Sequence, residues 1–275
     1  MVEHSVVLVV GDRSTTVEEQ LTALAAETAA SSVPVVVVDR GRRGRTIPDA
    51  GREVRLVRAP GASAPQARNA GAGALESRAV LYCDGSSVVR PGWLAALLTG
   101  LDEAPIVGGW GVPVGGSGQG SGAVRDRLPV FNGWCPYVYA DCCAVRREAL
   151  DALGGWRARY GRGQDGVDLA FRARGLGLDL AFAPAAVVER SEPGPGAFLR
   201  DRIAMGLMDA ALYRDHRRAG MPGRRPADVV RTWGWCLRHA PDAAAAPPVR
   251  RRWLQAAGES VGRAAGSVRY GVVYL

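Results

Sequence analysis

The chain has 275 residues, 47% of them hydrophobic, which predicts a folded domain with a small helical appendage and excludes disorder over most of its length. The formal charge is +8, and all 35 basic residues are arginine. Five cysteines without a CxxC pair argue against a disulfide framework or a zinc knuckle. With no apolar run of about 18 residues and no basic leader at the start, the sequence predicts a cytoplasmic protein without a spanning helix.

The first hundred residues alternate between β-branched runs and helical patterns. Continuous β-branched runs at residues 5–10 and 33–38 are typical of parallel strands covered on both faces, and residues 16–30 between them form a helical pattern. The alternation continues with predicted strands at residues 54–57 and 79–83 and predicted helices at residues 64–75 and 92–101. This order predicts a doubly wound α/β sheet, whose ligands bind beyond the carboxyl ends of its strands.

Residues 106–196 continue the pattern less regularly. A strand is predicted at 106–114, within and before a glycine-rich stretch that covers residues 108–122. The part of this stretch that follows the strand is either a mobile loop that folds over a ligand or a loose surface loop. The later elements are a strand at 140–145, helices at 147–153 and 165–174, and a strand at 178–183 that ends at Pro184.

The last third of the chain is predicted to be a helical, arginine-rich extension, residues 191–275, packed on a catalytic domain of residues 1–190. It holds 14 arginines and seven acidic residues, a formal balance of +7, which suits peripheral contact with an anionic membrane or an acidic partner, or a plain solvated surface. The helical pattern at 198–218 fits a lid, a homodimer face or a membrane-surface helix, with docking on the first domain the simplest reading. We expect no nucleic-acid partner.

Four stretches, in order, resemble the motifs of glycosyltransferase family 2. They are VVVVDRGRRG (35–44), ARNAG (67–71), LYCDGSSVVRPGWL (81–94) and AVRREALDALGGWRARYGRGQDGVDLAFRARGLGL (144–178). The resemblance spans roughly the first 190 residues. It implies the GT-A fold, a mixed and mostly parallel twisted sheet with flanking helices, and inverting transfer of a sugar from a nucleotide-diphosphate sugar to an acceptor.

Three acids follow predicted strands and are candidate donor-binding residues: Asp12, Asp39 and Asp84. The resemblance places Asp39 near the base or ribose of the donor. It places Arg68 of ARNAG near the nucleotide, where a guanidinium can hold a phosphate or fix Asp39 or Asp84. A structural salt bridge is the alternative for Arg68, and a turn cap is the alternative for Asp39.

The Glu-Asp pair of the family corresponds here to Gln164 and Asp165. Asp165 is therefore the predicted catalytic base, because a carboxylate in the first turn of a helix is held ionised by the helix dipole. A plain helix cap is the alternative for Asp165. Gln164 is a candidate acceptor-binding residue.

The chain departs from the family pattern at two metal-binding positions. The Asp-any-Asp motif reads Asp84-Gly85-Ser86, and a position that is often histidine holds Arg190. Mg²⁺ or Mn²⁺ would be held weakly by Asp84 alone. We therefore predict that Arg190 stabilises the departing diphosphate while Asp84 and Ser86 position ribose or phosphate. A metal held by Asp84, the phosphates and water is the alternative.

The acceptor side is less defined. Two tryptophans, Trp134 and Trp156, belong to an aromatic-rich set that can stack on a sugar or a flat acceptor, or can simply be core; the rest are Trp110, Tyr137 and Tyr139, with Asn132 beside them. The acceptor is expected to be a small specialised metabolite. Rival functions are a catalytically inactive nucleotide-sugar-binding or scaffold protein and a nucleotidyltransferase. A dinucleotide oxidoreductase is disfavoured because no GxGxxG follows the first strand.

Overall fold

The structure is a computed structural model that describes residues 2–29, 31, 33–44, 47, 54–114, 125–161 and 163–275. Most of the glycine-rich stretch predicted to be a loop, residues 115–122, lies outside the described residues. The strands are β1 (Val2–Val10), β2 (Val35–Asp39), β3 (Val54–Arg58), β4 (Ser77–Asp84), β5 (Ser87–Val89), β6 (Ile106–Pro113), β7 (Val130–Phe131), β8 (Cys135–Pro136), β9 (Cys142–Arg146) and β10 (Leu180–Arg190). The helices are α1 (Val17–Thr28), α2 (Ala64–Ala74), α3 (Trp93–Glu103), α4 (Arg147–Ala152), α5 (Asp165–Gly175), α6 (Pro195–His216), α7 (Pro226–Arg238), α8 (Ala240–Ala245) and α9 (Pro247–Tyr270).

Eight of these strands form one sheet in the order β3-β2-β1-β4-β9-β6-β10-β5. Strands β1 to β4 pair in parallel, as do β6 and β10. Strand β9 is antiparallel to both β4 and β6, and β5 is antiparallel to β10. The predicted mixed, mostly parallel α/β sheet is confirmed.

The valine-rich strands are buried because helices cover both faces of the sheet. All five residues of β2 are buried, as are the last six of β1, so these strands need no polar alternation. Helix α2 lies close against the sheet at Gly71, where a Cβ atom would come within 2.5 Å of Val7 and 2.9 Å of Val38. The glycine of ARNAG therefore sets how closely this helix, and the arginine it carries, approaches the strands.

The predicted end of the last strand was wrong. Strand β10 does not stop at Pro184 but continues to Arg190. Its register against β6 shifts between Phe182 and Val187, and this irregularity accommodates a proline that cannot donate to the ladder. The continuation places Arg190 at the carboxyl end of β10.

The chain divides into two compact units. The first contains Met1–Gly161 and Asp165–Glu192, and the second contains Pro193–Leu275 together with Gly163 and Gln164. In the second unit α6 packs along α9 with the backbones in direct contact, since a Cβ atom on Gly206 would lie 2.1 Å from the Glu259 carbonyl oxygen. Within the part of the chain that the structure describes, no helix is long and apolar enough to cross a membrane.

Candidate active site

The carboxyl ends of β1 and β2 border a cavity of about 480 Å³. Its lining residues are Gly11, Asp12, Asp39, Gly41, Arg42, Arg43 and Gly44. Asp39 is 1% exposed; its Oδ1 accepts the Gly41 N–H at 2.8 Å, and its Oδ2 pairs with Arg58. The exposed Asp12 accepts the Arg42 N–H at 3.1 Å. The glycine-rich turn after β2 is thus folded around the two carboxylates, which can accept hydrogen bonds from a base or a ribose.

Asp84, at the end of β4, is tied to Asp165 by a shared arginine. The Nη2 atom of Arg68 lies 3.1 Å from each carboxylate oxygen of Asp84, and its Nη1 atom pairs with Asp165 Oδ2. Arg68 is buried, and both terminal nitrogens of its guanidinium are paired with these acids. Of the two acids proposed for Arg68 to fix, the structure pairs it with Asp84, while Asp39 has Arg58.

Two of the four family-like motifs, ARNAG and the segment that contains Gly-Gly-Trp, are joined by hydrogen bonds. The Asn69 side chain of ARNAG donates to the Trp156 carbonyl at 2.8 Å and accepts the Trp156 N–H at 2.9 Å. Gly155 has a φ of +72°, and a Cβ atom there would lie 2.8 Å from Asn69 Oδ1, so glycine is required. The Gly-Gly-Trp turn therefore fastens α2, and with it Arg68, to the segment that precedes Asp165.

Trp156 does not present a free ring to an acceptor. It is 2% exposed, makes an edge-to-face contact with Tyr82 at 5.2 Å and has the Arg68 guanidinium 5.3 Å from its ring centroid. The ring of Trp156 packs in the interior, and its acceptor role stays a prediction. Trp110 is also buried, and its Nε1–H donates to the Pro184 carbonyl.

Asp141 is a site residue that sequence reasoning missed. It lies directly before β9, whose first residue, Cys142, pairs with Cys83 of β4, so Asp141 is placed beside Asp84. Its carboxylate accepts from Arg190 Nε at 2.7 Å and from Arg190 Nη2 at 2.6 Å, a two-pronged ion pair.

Arg190 rests in a cradle made by three groups. Besides Asp141, the Tyr139 ring centroid lies 4.6 Å from the guanidinium carbon, and a Cβ atom on Gly111 would lie 2.5 Å from that carbon. The cradle fixes the guanidinium but uses only its Nε and Nη2 atoms. The side chain is 32% exposed, and its Nη1 atom donates no hydrogen bond to any of the described residues. Arg190 can therefore donate to an anion.

Burial and neighbouring charges shape the ionisation of these acids. Burial raises the pKa of Asp84 to about 6; Arg68 opposes the shift, and Asp141 and Asp165 add to it. Burial also disfavours ionised Asp141, but the charge and hydrogen bonds of Arg190 outweigh it and lower the pKa of that carboxyl. By formal charge, the three acids and two arginines of the cluster sum to −1.

The residues present do not fit a tightly held divalent cation. Both oxygens of Asp84 face Arg68, both oxygens of Asp141 face Arg190, and Ser86 occupies the position of the second motif acid. Mg²⁺ and Mn²⁺ need several uncommitted oxygen ligands. Over the described residues, no group of three or more His, Cys, Asp or Glu side chains could hold a metal ion.

The remaining predicted residues lie as follows. Ser86 is exposed in the turn between β4 and β5, one residue before Ser87, which pairs with Arg190. Trp134 packs edge-on against Phe171 at 4.6 Å and under Arg174. Gln164 has a φ of +71° and donates to Asp209 Oδ1 at 2.6 Å within the second unit.

Comparison with solved structures identifies the fold. The mannosyltransferase PcManGT from Pyrobaculum calidifontis, solved with GDP-Man and Mn²⁺, is 16% identical, with a TM-score of 0.65 over 95% of this chain and 86% of that one. S. aureus TarS 1–349 in complex with UDP-GlcNAc is 14% identical, with a TM-score of 0.52 over 99% and 93%. GalNAc-T7 with UDP, GalNAc and Mn²⁺ is 14% identical, with a TM-score of 0.55, and this chain covers 81% of its own length and 52% of that chain. No family profile and no curated sequence matches.

The chain therefore has the GT-A fold of glycosyltransferases, as predicted from its four motifs. At these levels of identity the likeness establishes the fold alone. The membership in family 2, the donor and the catalytic residues remain predictions.

Proposed function

We propose that this protein is an inverting glycosyltransferase that moves a sugar from a nucleotide-diphosphate sugar to an acceptor hydroxyl. The observation that carries the proposal is the charge cluster at one edge of the sheet, in which Arg68 joins Asp84 to Asp165 and Asp141 holds Arg190. The cavity around Asp12 and Asp39 lies at the same edge, at the ends of β1, which pairs with β4, and of β2, which pairs with β1. We propose that the nucleoside binds in this cavity and that Asp84 and Ser86 contact its ribose or a phosphate. The diphosphate of the donor then lies between the cavity and the charge cluster.

In the proposed reaction Asp165 accepts the proton of the acceptor hydroxyl. The acceptor oxygen forms a bond to the anomeric carbon from the side opposite the diphosphate, and the bond from that carbon to the phosphate oxygen breaks. The diphosphate leaves with the electron pair. Arg68 and the Gly166 N–H, which donates to Asp165 Oδ1 at 3.1 Å, keep Asp165 oriented for proton transfer.

Arg190 neutralises the charge that develops on the departing diphosphate. Its Nη1 atom supplies donors that are already positioned by Asp141 and Tyr139, so no reorganisation is needed as charge appears. This assigns to a fixed cation the work that a bound metal ion performs in many sugar transferases. Mg²⁺ or Mn²⁺ carried in with the donor is not required.

The acceptor is proposed to be a small molecule bound near the aromatic residues beside Arg190. Tyr137 and Tyr139 form an edge-to-face pair 5.6 Å apart, next to the cradle, and rings of this kind stack on sugar faces or flat molecules. Trp134 and Gln164 are further candidates for contact with the acceptor.

The function is tested by measuring binding and turnover of UDP-, GDP- and TDP-sugars. We expect one donor class to bind and to be hydrolysed slowly, because water replaces a missing acceptor. Asp165→Asn should keep donor affinity and lose roughly 100-fold or more in turnover, whereas Asp102→Asn, an exposed acid on α3, should keep both. Donor binding without turnover in the unmodified protein would instead identify an inactive binding protein.

A further inference from the structure

Helix α7 carries an apolar stripe that is exposed among the residues that the structure describes. Val230, Trp233 and Leu237 are 71%, 38% and 76% exposed, far more than side chains of their kind usually are. Their spacing of three and four residues places them on one side of the helix. A contiguous exposed stripe of large apolar side chains marks a contact surface.

The opposite side of α7 is already occupied. Cys236 is buried, and its carbonyl oxygen accepts the Trp253 Nε1–H from α9 at 2.8 Å. The Trp235 ring lies 4.8 Å from the Arg252 guanidinium carbon of α9. Helix α7 thus packs against α9 through its inner side, and the stripe faces away from α9.

The charges around the stripe are nearly all positive. Residues 223–239 contain four arginines and one acid, Asp228, which pairs with Arg231. Arg225 and Arg238 are exposed, at the two ends of the helix. Long arginine side chains at the boundary of an apolar stripe can reach phosphate groups while the stripe enters an apolar layer.

We propose that α7 docks this protein on an anionic lipid surface, with Val230, Trp233 and Leu237 entering the interface and the flanking arginines contacting lipid phosphates. A second copy of the chain suits the stripe less well, because a symmetric contact would bring the two sets of arginines together. The lipid surface supplies the opposite charge. The proposal is independent of the proposed transferase reaction.

The test is co-sedimentation of the full chain with vesicles. We expect binding to vesicles that contain phosphatidylglycerol, little binding to phosphatidylcholine alone, and a marked decrease at high salt. The triple variant V230S/W233S/L237S should lower partitioning roughly tenfold or more, while its circular dichroism stays unchanged because these side chains are exposed. A matched control, V261S/V268S, removes two exposed apolar side chains of α9 and should bind like the unmodified protein.

Two further measurements identify the mode of contact. Quenching of tryptophan fluorescence by bromolipids should fall in Trp233→Phe, and R225Q/R238Q should weaken binding with a shallower salt dependence. Binding that is equal in both serine variants, or absent with anionic vesicles, overturns the proposal. Sedimentation velocity that shows a dimer of the unmodified protein, lost in the triple variant, would instead make the stripe a subunit interface and overturn it as well.

Discussion

At the scale of single residues, the site depends on arginines that are held by acids. Asp141 grips Arg190 through two hydrogen bonds, and Arg68 is shared between Asp84 and Asp165. A buried guanidinium that loses its acid leaves an uncompensated charge, which is strongly destabilising. Substitutions in these pairs therefore alter both the ionisation and the position of the remaining partner.

The fixed cation predicts activity without metal. Donor turnover should be unchanged in EDTA and should fall roughly 100-fold in Arg190→Ala, because the diphosphate loses its counter-charge. Asp141→Asn should lower turnover less, roughly 10-fold, since Arg190 remains but is no longer fixed. Arg127→Ala, at an exposed arginine that pairs with its neighbour Asp126, is the control. Complete loss of turnover in EDTA, restored by Mn²⁺, would contradict the role given to Arg190.

The raised pKa of Asp84 predicts an acidic limb in the pH profile. Since this pKa is about 6, Asp84 is ionised at pH 7.5 and becomes neutral as the pH falls through 6, which weakens its hydrogen bonds to Arg68. We expect donor kcat/KM to fall by about tenfold per pH unit below the limb. Burial raises the pKa of Asp209 to about 6 as well, so Asp209→Asn is the control. If the acidic limb shifts to another pH in Asp209→Asn, or if kcat/KM is constant from pH 5 to 8, Asp84 is not the group that titrates.

At the scale of elements, glycines decide how closely helices pack in the second unit. A Cβ atom on Gly262 of α9 would lie 2.1 Å from the Ile203 carbonyl oxygen of α6, a distance that requires a backbone shift. At Gly234 of α7 a Cβ atom would meet no atom within 4 Å. The same substitution should therefore have opposite effects at the two positions.

We expect Gly262→Ala to lower the free energy of unfolding by about 1–3 kcal/mol through overpacking. Gly234→Ala should raise it by about 0.5–1 kcal/mol, because alanine loses less backbone entropy in a helix. Urea unfolding followed by circular dichroism measures both. Equal effects of the two substitutions would show that α6 and α9 do not pack through their backbones in solution.

The elements show what the sequence could and could not predict. Uniform valine runs identified β1 and β2 because only buried strands tolerate them. Strand β9 was predicted to start at residue 140, which placed Asp141 inside a strand rather than before it, and a period of two does not reveal strand direction. Pro184 predicts a strand end from sequence alone, because the register shift that accommodates it depends on β6, which is distant in sequence.

In the site, too, features that are local in sequence could be predicted, whereas features that depend on tertiary neighbours could not. The resemblance predicted Asp84, Asp165 and Arg68 individually as site residues, because their motifs are local in sequence, and it named Asp84 as one of two acids that Arg68 could fix. It did not predict that Trp156 is buried or that Arg190 has a carboxylate partner, since both depend on tertiary neighbours. A signal for Asp141 was present, as an acid between the aromatic stretch and a short strand of mostly small apolar residues, but its place in the site depends on the antiparallel pairing of that strand.

At the scale of the whole molecule, positive charge is concentrated in the last third. Residues 191–275 carry a formal +7 of the total +8, so the first 190 residues carry +1. The total comes from arginine alone. Arginine stays protonated at every pH at which a protein is folded, so these charges do not titrate away.

A chain without lysine side chains predicts a distinctive pattern of chemical modification. Phenylglyoxal, which reacts with arginine, should abolish donor turnover, and a nucleoside diphosphate should slow that loss by covering Arg190. Acylation of amines by an N-hydroxysuccinimide ester should leave turnover unchanged, because it finds no side-chain amine. Inactivation by the amine reagent would point to an essential group outside the proposed site.

The donor cavity and the residues around Arg190 come from different stretches of the chain, because β9 enters the sheet in the opposite direction to β4 and β6. The donor cavity is built from residues that follow β1 and β2, whereas Tyr139 and Asp141 belong to a single connection that enters β9. Tyr137, which is part of neither the cradle of Arg190 nor the nucleoside pocket, could therefore be randomised in a directed-evolution library. Such a library offers a route to new acceptor preferences with the original donor retained.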